Sequence, residues 1–221
     1  MNKSADHRVE RPMRADAARN QRRILGAARR LLADRGLDIT LDDVAAAAGV
    51  GVGTVYRRFA NKQELIETVF EEYLREIAER AEAAAAAADP WQGLVQFMHH
   101  VGRRAAESRA FGQMTVEIHD GTTLLDYFWQ NVEPPLARLL DRGRQAGELR
   151  SDVTVTDLFA VITMLDPVAS FARPVDPDIW ERYLTFVLDG MRAASPHRAA
   201  LAPTALTEEQ ISFALRYRHR K

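Results

Sequence analysis

Residues 40–62, TLDDVAAAAGVGVGTVYRRFANK, compress two short helices and a glycine-rich turn into a span that can offer one helix to a nucleic-acid groove. Nothing else in the chain constrains the fold as tightly. Thr40 followed by Asp43 has the spacing of a capping box, and its acid suits the positive end of a helix starting at Leu41. That helix ends at Ala48, before Gly49. A third helix starts near Val52 or Gly53 and runs to about Phe59, and Asn61 caps a longer fourth one.

Apolar residues recur at three- and four-residue intervals almost throughout, with little β-branched alternation, so the expected fold class is all-α. Ile24, Ala27, Ala28, Leu31 and Leu32 form one stripe of a first helix from about Asp16 to Arg35, stopped by Gly36. Along the fourth helix Leu65, Ile66, Val69, Phe70, Tyr73, Leu74 and Ile77 make an apolar face opposite Glu64, Glu67, Glu71, Glu72 and Glu76. The alanines of 83–88 continue it until Asp89 and Pro90 open a new helix as N-cap and N1. Further helices are predicted at about 90–107, 109–118, 122–146, 154–172, 177–194 and 207–219, with Pro134 and Pro135 interrupting the third of these. Loops are expected at 147–153 and 173–176. The resulting organisation is a basic arm over 1–15, a helix-turn-helix domain over 16–62, a connecting helix over 63–88, a larger helical domain over 89–195 and a tail over 196–221.

Composition narrows the function classes. With 47% hydrophobic and 28% charged residues the chain reads as an ordinary soluble protein. No apolar run approaches the roughly 20 residues of a bilayer span. The opening MNKSADHRVERPMRAD lacks the apolar core of a secretion signal, which predicts a cytoplasmic protein. The absence of cysteine excludes disulfides, thiolate metal sites and a cysteine nucleophile. The net charge of -1 conceals an asymmetry: residues 1–63 carry 13 Lys/Arg against 7 Asp/Glu, whereas residues 64–221 carry 17 against 24. A basic front and an acidic back imply that only the front meets a polyanion.

A helix-turn-helix needs a supporting helix, a tight turn and a second helix whose N-terminal residues reach base edges. Here LDDVAAAA is the support, GVGVG the turn, with Gly49, Gly51 and Gly53, and GTVYRRF the reader. Val44, Ala45, Ala48, Val55 and Phe59 can pack inward, leaving Thr54, Arg57 and Arg58 on or near the outer face beside Tyr56. Arginine can fork onto guanine, a threonine methyl can meet thymine, and Tyr or Lys can hold phosphates. The order of an amphipathic helix, T-x-x-x-V-A-x-x-A-G-V, G-T-x-Y-x-x-F-x-x-K and a helix opening E-L resembles the tetracycline-repressor (TetR) family. The matching positions are Thr40, Val44, Ala45, Ala48, Gly49, Val50, Gly53, Thr54, Tyr56, Phe59, Lys62, Glu64 and Leu65, within about Ala17–Leu74. The resemblance implies that the third helix enters the major groove, that Thr54 and Arg57 read or approach bases, and that Thr40, Tyr56, Arg58 and Lys62 touch phosphates. Gly51 departs from the family's frequent Ser, which removes a side-chain cap from the reader. Arg8, Arg11, Arg14 and Arg19 read either as an arm along the phosphates or minor groove, or as a solvated tail.

Beyond the connecting helix, AGELRSDVTVTDL at 146–158 and the ending LDGMRAASP resemble the group with an SbtR-type C-terminal domain. The family architecture implies a domain that dimerises and encloses a small effector. Dimerisation also follows physically, since one reader contacts few phosphates and bases, whereas two spaced about 34 Å apart match a palindrome. Leu158, Phe159, Val161, Ile162 and Leu165, then Trp180, Tyr183, Leu184, Val187 and Met191, are the interface candidates. Pocket candidates are Trp91, Phe97, Met98, His99, Phe111, Met114, Glu117, Tyr127, Phe128, Met164 and Phe171, set against a plain-core reading of the same residues. Such a lining suits a largely apolar effector.

An enzyme is the rival class. His99 and His100 point about 100° apart on a helix and cannot share one metal, and no HExxH, GxSxG, phosphate loop or Rossmann pattern is present. No catalytic residue, metal or cofactor is therefore expected. A sequence-neutral DNA-packaging protein is a second alternative, but it has little use for a large acidic domain. The sequence points to a one-component transcriptional regulator, a repressor by family habit. Its expected partners are double-stranded DNA, a second copy of itself and a small effector, with no membrane among them.

Overall fold

The computed structural model describes residues 10–107, 122–172, 174–193, 201 and 204–218. Ten helices are found among them: α1 (Glu10–Arg35), α2 (Leu41–Ala48), α3 (Val52–Tyr56), α4 (Lys62–Ala85), α5 (Pro90–Glu107), α6 (Thr122–Asn131), α7 (Glu133–Gln145), α8 (Val155–Ala172), α9 (Ile179–Met191) and α10 (Glu208–Arg218). An isolated bridge pairs Leu149 with Arg192. The chain forms two compact units divided after Glu71, within α4.

In the first unit α1 packs on α2 and α2 on α3. Ile24, Ala27 and Ala28 of α1, Val44 and Ala45 of α2, Val55, Phe59 and Leu65 are all essentially inaccessible to solvent. This is the inward set that the periodicity selects. The first helix begins at Glu10 rather than near Asp16, so residues 10–15 of the expected arm are helical. Pro12 falls in the first turn, where its missing N–H has no intrahelical partner to lose.

In the second unit α5 is central and packs on α7, α8 and α9. It opens as expected, with the backbone N–H of Gln92 donating to Asp89 Oδ1 at 2.9 Å. Gly102 permits close approach, since a Cβ there would lie 2.7 Å from the buried ring of Trp180 on α9. The fourth helix ends at Ala85, short of the predicted Ala88. Arg142 of α7 donates to the carbonyls of Ala85 at 2.5 Å and Ala87 at 2.7 Å, replacing the helical bonds that a further turn would make. The helix predicted over 122–146 is broken at Val132, and Pro134 and Pro135 fall in the first turn of α7.

The inner face of α8 consists of Leu158, Val161, Ile162, Leu165 and Ala169. It is the one helix among the described residues long and apolar enough to cross a membrane, but it packs against α5 and α9. The end of α9 is tied to the preceding loop, with Ala193 N–H donating to Glu148 O and Arg150 N–H to Met191 O. Thr207 and Gln210 cap α10 reciprocally, and Ile211 is buried. The helix predicted at 109–118 lies outside the described residues.

Candidate nucleic-acid interface

The capping box of α2 is complete. Asp43 N–H donates to Thr40 Oγ1 at 3.1 Å, while Thr40 N–H and hydroxyl donate to Asp43 Oδ2 at 2.9 and 2.8 Å. The hydroxyl bond, followed by the backbone bond, holds the Asp43 carboxyl below its ordinary range. Thr40 therefore acts as a helix cap in the free protein. It can donate its hydroxyl proton to a phosphate only by releasing Asp43.

The supporting helix ends at Gly49, whose φ of 61° lies in the left-handed region that a side chain disfavours. Gly49 N–H and Val50 N–H then satisfy carbonyls of the last turn. Helix α3 has five residues, Val52–Tyr56, and Phe59 follows a turn at 57–58 rather than ending the helix. Its N-cap, Gly51, makes no side-chain hydrogen bond. Val55 and Phe59 are wholly buried and seat this short element, whereas Tyr56 is 52% exposed and Arg57 and Arg58 lie outward. Thr54 is half-buried, and its Oγ1 accepts from Arg57 Nη2 at 3.3 Å, so these two candidates form one surface.

Arg58 donates through Nε to Gln21 Oε1 at 3.4 Å, with its guanidinium carbon 5.2 Å from the Phe59 ring centroid. Lys62 Nζ donates to Leu37 O at 3.0 Å, leaving two of its three protons for a phosphate. Arg19 pairs with Asp16, and the side chains of Arg8, Arg11 and Arg14 lie outside the described residues. Two α1 side chains that the motif does not reveal also reach this surface, Gln21 as above and Arg23, whose Nη2 donates to Gly49 O at 2.9 Å. The only sequence signal for the second is the carbonyl left over at a helix C-terminus.

The expected effector and dimer residues divide differently from the prediction. Trp91, Phe97 and Met98 are buried in the core of the second unit, His99 stacks edge-on 6.0 Å from Trp180, and Tyr127 and Phe128 are half-buried. Phe111, Met114 and Glu117 lie outside the described residues. Met164 is 57% and Phe171 87% exposed, so neither lines the interior of a protomer. They stand off the inner face of α8. Conversely Leu158, Val161, Ile162, Leu165, Trp180, Leu184 and Met191 are buried in the protomer's own core, which removes them from an interface surface. Phe159 and Val187 are half-buried, and Tyr183 is 44% exposed beside Phe186 at 58%, with ring centroids 6.3 Å apart.

Residues 24–69 match the model of the bacterial regulatory proteins of the tetR family. Residues 89–193 match that of the SbtR-like transcriptional regulator C-terminal domain. The chain is 30% identical over 171 residues to the HTH-type transcriptional repressor LfrR of Mycolicibacterium smegmatis, covering 77% of this chain and 75% of that protein. Among solved structures, a TetR regulatory protein from Mycobacterium vanbaalenii is 33% identical with a TM-score of 0.61, covering 82% of this chain and 99% of its own. The regulator SCO0520 from Streptomyces coelicolor is 30% identical with a TM-score of 0.60, covering 79% of this chain and 99% of its own.

Proposed function

The chain belongs to the tetR family of bacterial transcriptional regulators, which are DNA-binding proteins and not enzymes, and from that premise we propose that it is a cytoplasmic repressor. It binds a palindromic operator as a homodimer through α3 and is released by a small, largely apolar effector. The observation that carries this reading is the two-sidedness of α3 and its flank. Val55 and Phe59 are fully buried, while Thr54, Tyr56, Arg57 and Arg58 remain on or near the surface of the basic end of the chain. Arg57 beside Thr54 is suited to a base edge, and Tyr56, Arg58 and Lys62 to the flanking phosphates.

Repression is taken from the LfrR likeness, and the effector from the family and from the apolar character of the second unit. An effector releases operator only to the extent that it binds one reader spacing better than the other. Helix α4, continuous from one unit into the next, is the covalent link through which that preference acts. The dimer face is the exposed apolar surface of α8 and α9, with Met164, Phe171, Tyr183 and Phe186. Footprinting on the promoter regions of the source genome tests the reading. A discrete protected site with dyad symmetry is expected, and uniform coating of all duplexes would instead support a packaging protein.

A further inference from the structure

The turn between α2 and α3 has glycine at 49 and 51, and Gly53 follows in the first turn of α3, so little in the local sequence stiffens this backbone. The helix it must aim is five residues long and lacks a side-chain cap at Gly51. A helix so short does not sustain itself. Burial of Val55 and Phe59 seats α3, but apolar burial is non-directional and sets depth better than heading. A directional contact at the N-terminal side of α3 is needed, and the structure holds one. The Arg23 guanidinium of α1 reaches across 26 positions to the carbonyl of Gly49, at 2.9 Å. It also fills the place of a side chain on that residue, since a Cβ at Gly49 would sit 2.9 Å from Nη2.

We propose that Arg23 is a positioning residue for DNA binding: it ties the turn to α1 through the Gly49 carbonyl and so sets the heading of α3 that the missing cap at Gly51 leaves open. The proposal rests on the reading of α3 as the groove-entering helix. It differs from a phosphate contact in what rescues its loss. A serine at 51 suits the local backbone, φ -64° and ψ 139°, and its Cβ would lie an ordinary 3.8 Å from Thr54 Oγ1. Its hydroxyl would accept from an N–H of the first turn and stiffen the same joint independently of Arg23.

The test is a double-mutant cycle on the full chain with R23M, G51S and the double variant, titrated by fluorescence anisotropy against the duplex enriched from a random pool. R23M keeps the aliphatic stem but removes the donor. It is expected to lower affinity by about fivefold per protomer, or about 25-fold for a symmetric dimer. R23K, with a donor of similar reach, recovers most of the loss. The decisive reading is the coupling, in which G51S raises affinity more in the R23M background than in the parent. Equal gains in both backgrounds would overturn the proposal, since Arg23 and the cap would then act independently, and unchanged affinity in R23M would overturn it as well. Thermal melts are expected to rise with G51S, whose new cap stabilises the helix in either background, so folding is checked by a single cooperative transition in every variant. R57A in the same titrations separates the failures. Weakened binding in R57A with none in R23M sinks the tether alone, whereas no change in either removes α3 from the groove and the tether with it.

Discussion

Arg57 and Lys62 both carry a positive charge on the exposed surface of the first unit, but their neighbours separate what each could do to a duplex. Arg57 is held against Thr54 at 3.3 Å and presents a planar fork, whereas Lys62 is a point charge already leaning on Leu37 O at 3.0 Å. Arg57→Ala is expected to relax sequence choice at one base step, costing about 1–3 kcal/mol on the preferred site. Lys62→Ala is expected to weaken all sequences alike and to reduce the salt slope by about one. Anisotropy titrations on matched and mismatched duplexes at several salt concentrations measure both, and identical effects would contradict the division. In the second unit, burial followed by the charge of Arg80 lowers the affinity of His100 for its proton, opposed by Glu76 Oε1 at 3.1 Å, with Arg104 of its own helix also facing it. A lowered folded value means that the unfolded chain takes up the proton first. The contribution of His100 to stability is therefore complete above about pH 6.5 and is lost as the pH falls through the folded value. His100→Gln is expected to flatten the pH dependence of the melting temperature in that window, and an unchanged slope would contradict the account.

At the scale of elements, stability of the first unit depends on α2, whose eight residues rely on their caps. Thr40→Ala removes both hydroxyl bonds of the capping box and is expected to cost about 0.5–2 kcal/mol in urea denaturation. A cost near zero would show the box to be incidental. That box was legible in the sequence because its partners are three residues apart, and so was the Asp89–Pro90 start of α5. Other boundaries depend on partners that no local pattern contains. Arg142 captures the carbonyls of Ala85 and Ala87 from more than fifty residues away, ending α4 three residues before its alanines run out. Arg23 reaches Gly49 in the same nonlocal way. Helix α8 was misread for another reason. It is apolar on nearly every side, so periodicity identified a helix but not its inner face, and the exposed Met164 and Phe171 were exchanged with the buried Leu158 and Ile162. The outward placement of Arg57, Arg58 and Lys62 escaped this ambiguity because such side chains are seldom buried unpaired.

For the whole molecule, the charge asymmetry and the exposed apolar side chains of α8 and α9 suit the proposed division of labour, a basic end for DNA and a second unit for pairing and sensing. Placing a charge on that face by Phe186→Glu, where the ring is 58% exposed, is expected to leave the fold intact. The variant should sediment as a monomer at micromolar concentration, and its operator binding should fall by at least tenfold because paired readers become single. A dimer that persists with full affinity would move the interface elsewhere. The central claim, that two copies of α3 read a duplex together, is tested most directly by enrichment of bound sequences from a random pool using the full chain without additives. The account predicts a single motif with dyad symmetry whose half-sites lie about 34 Å apart, or a multiple of that spacing. A pool that returns unenriched from folded protein would contradict it.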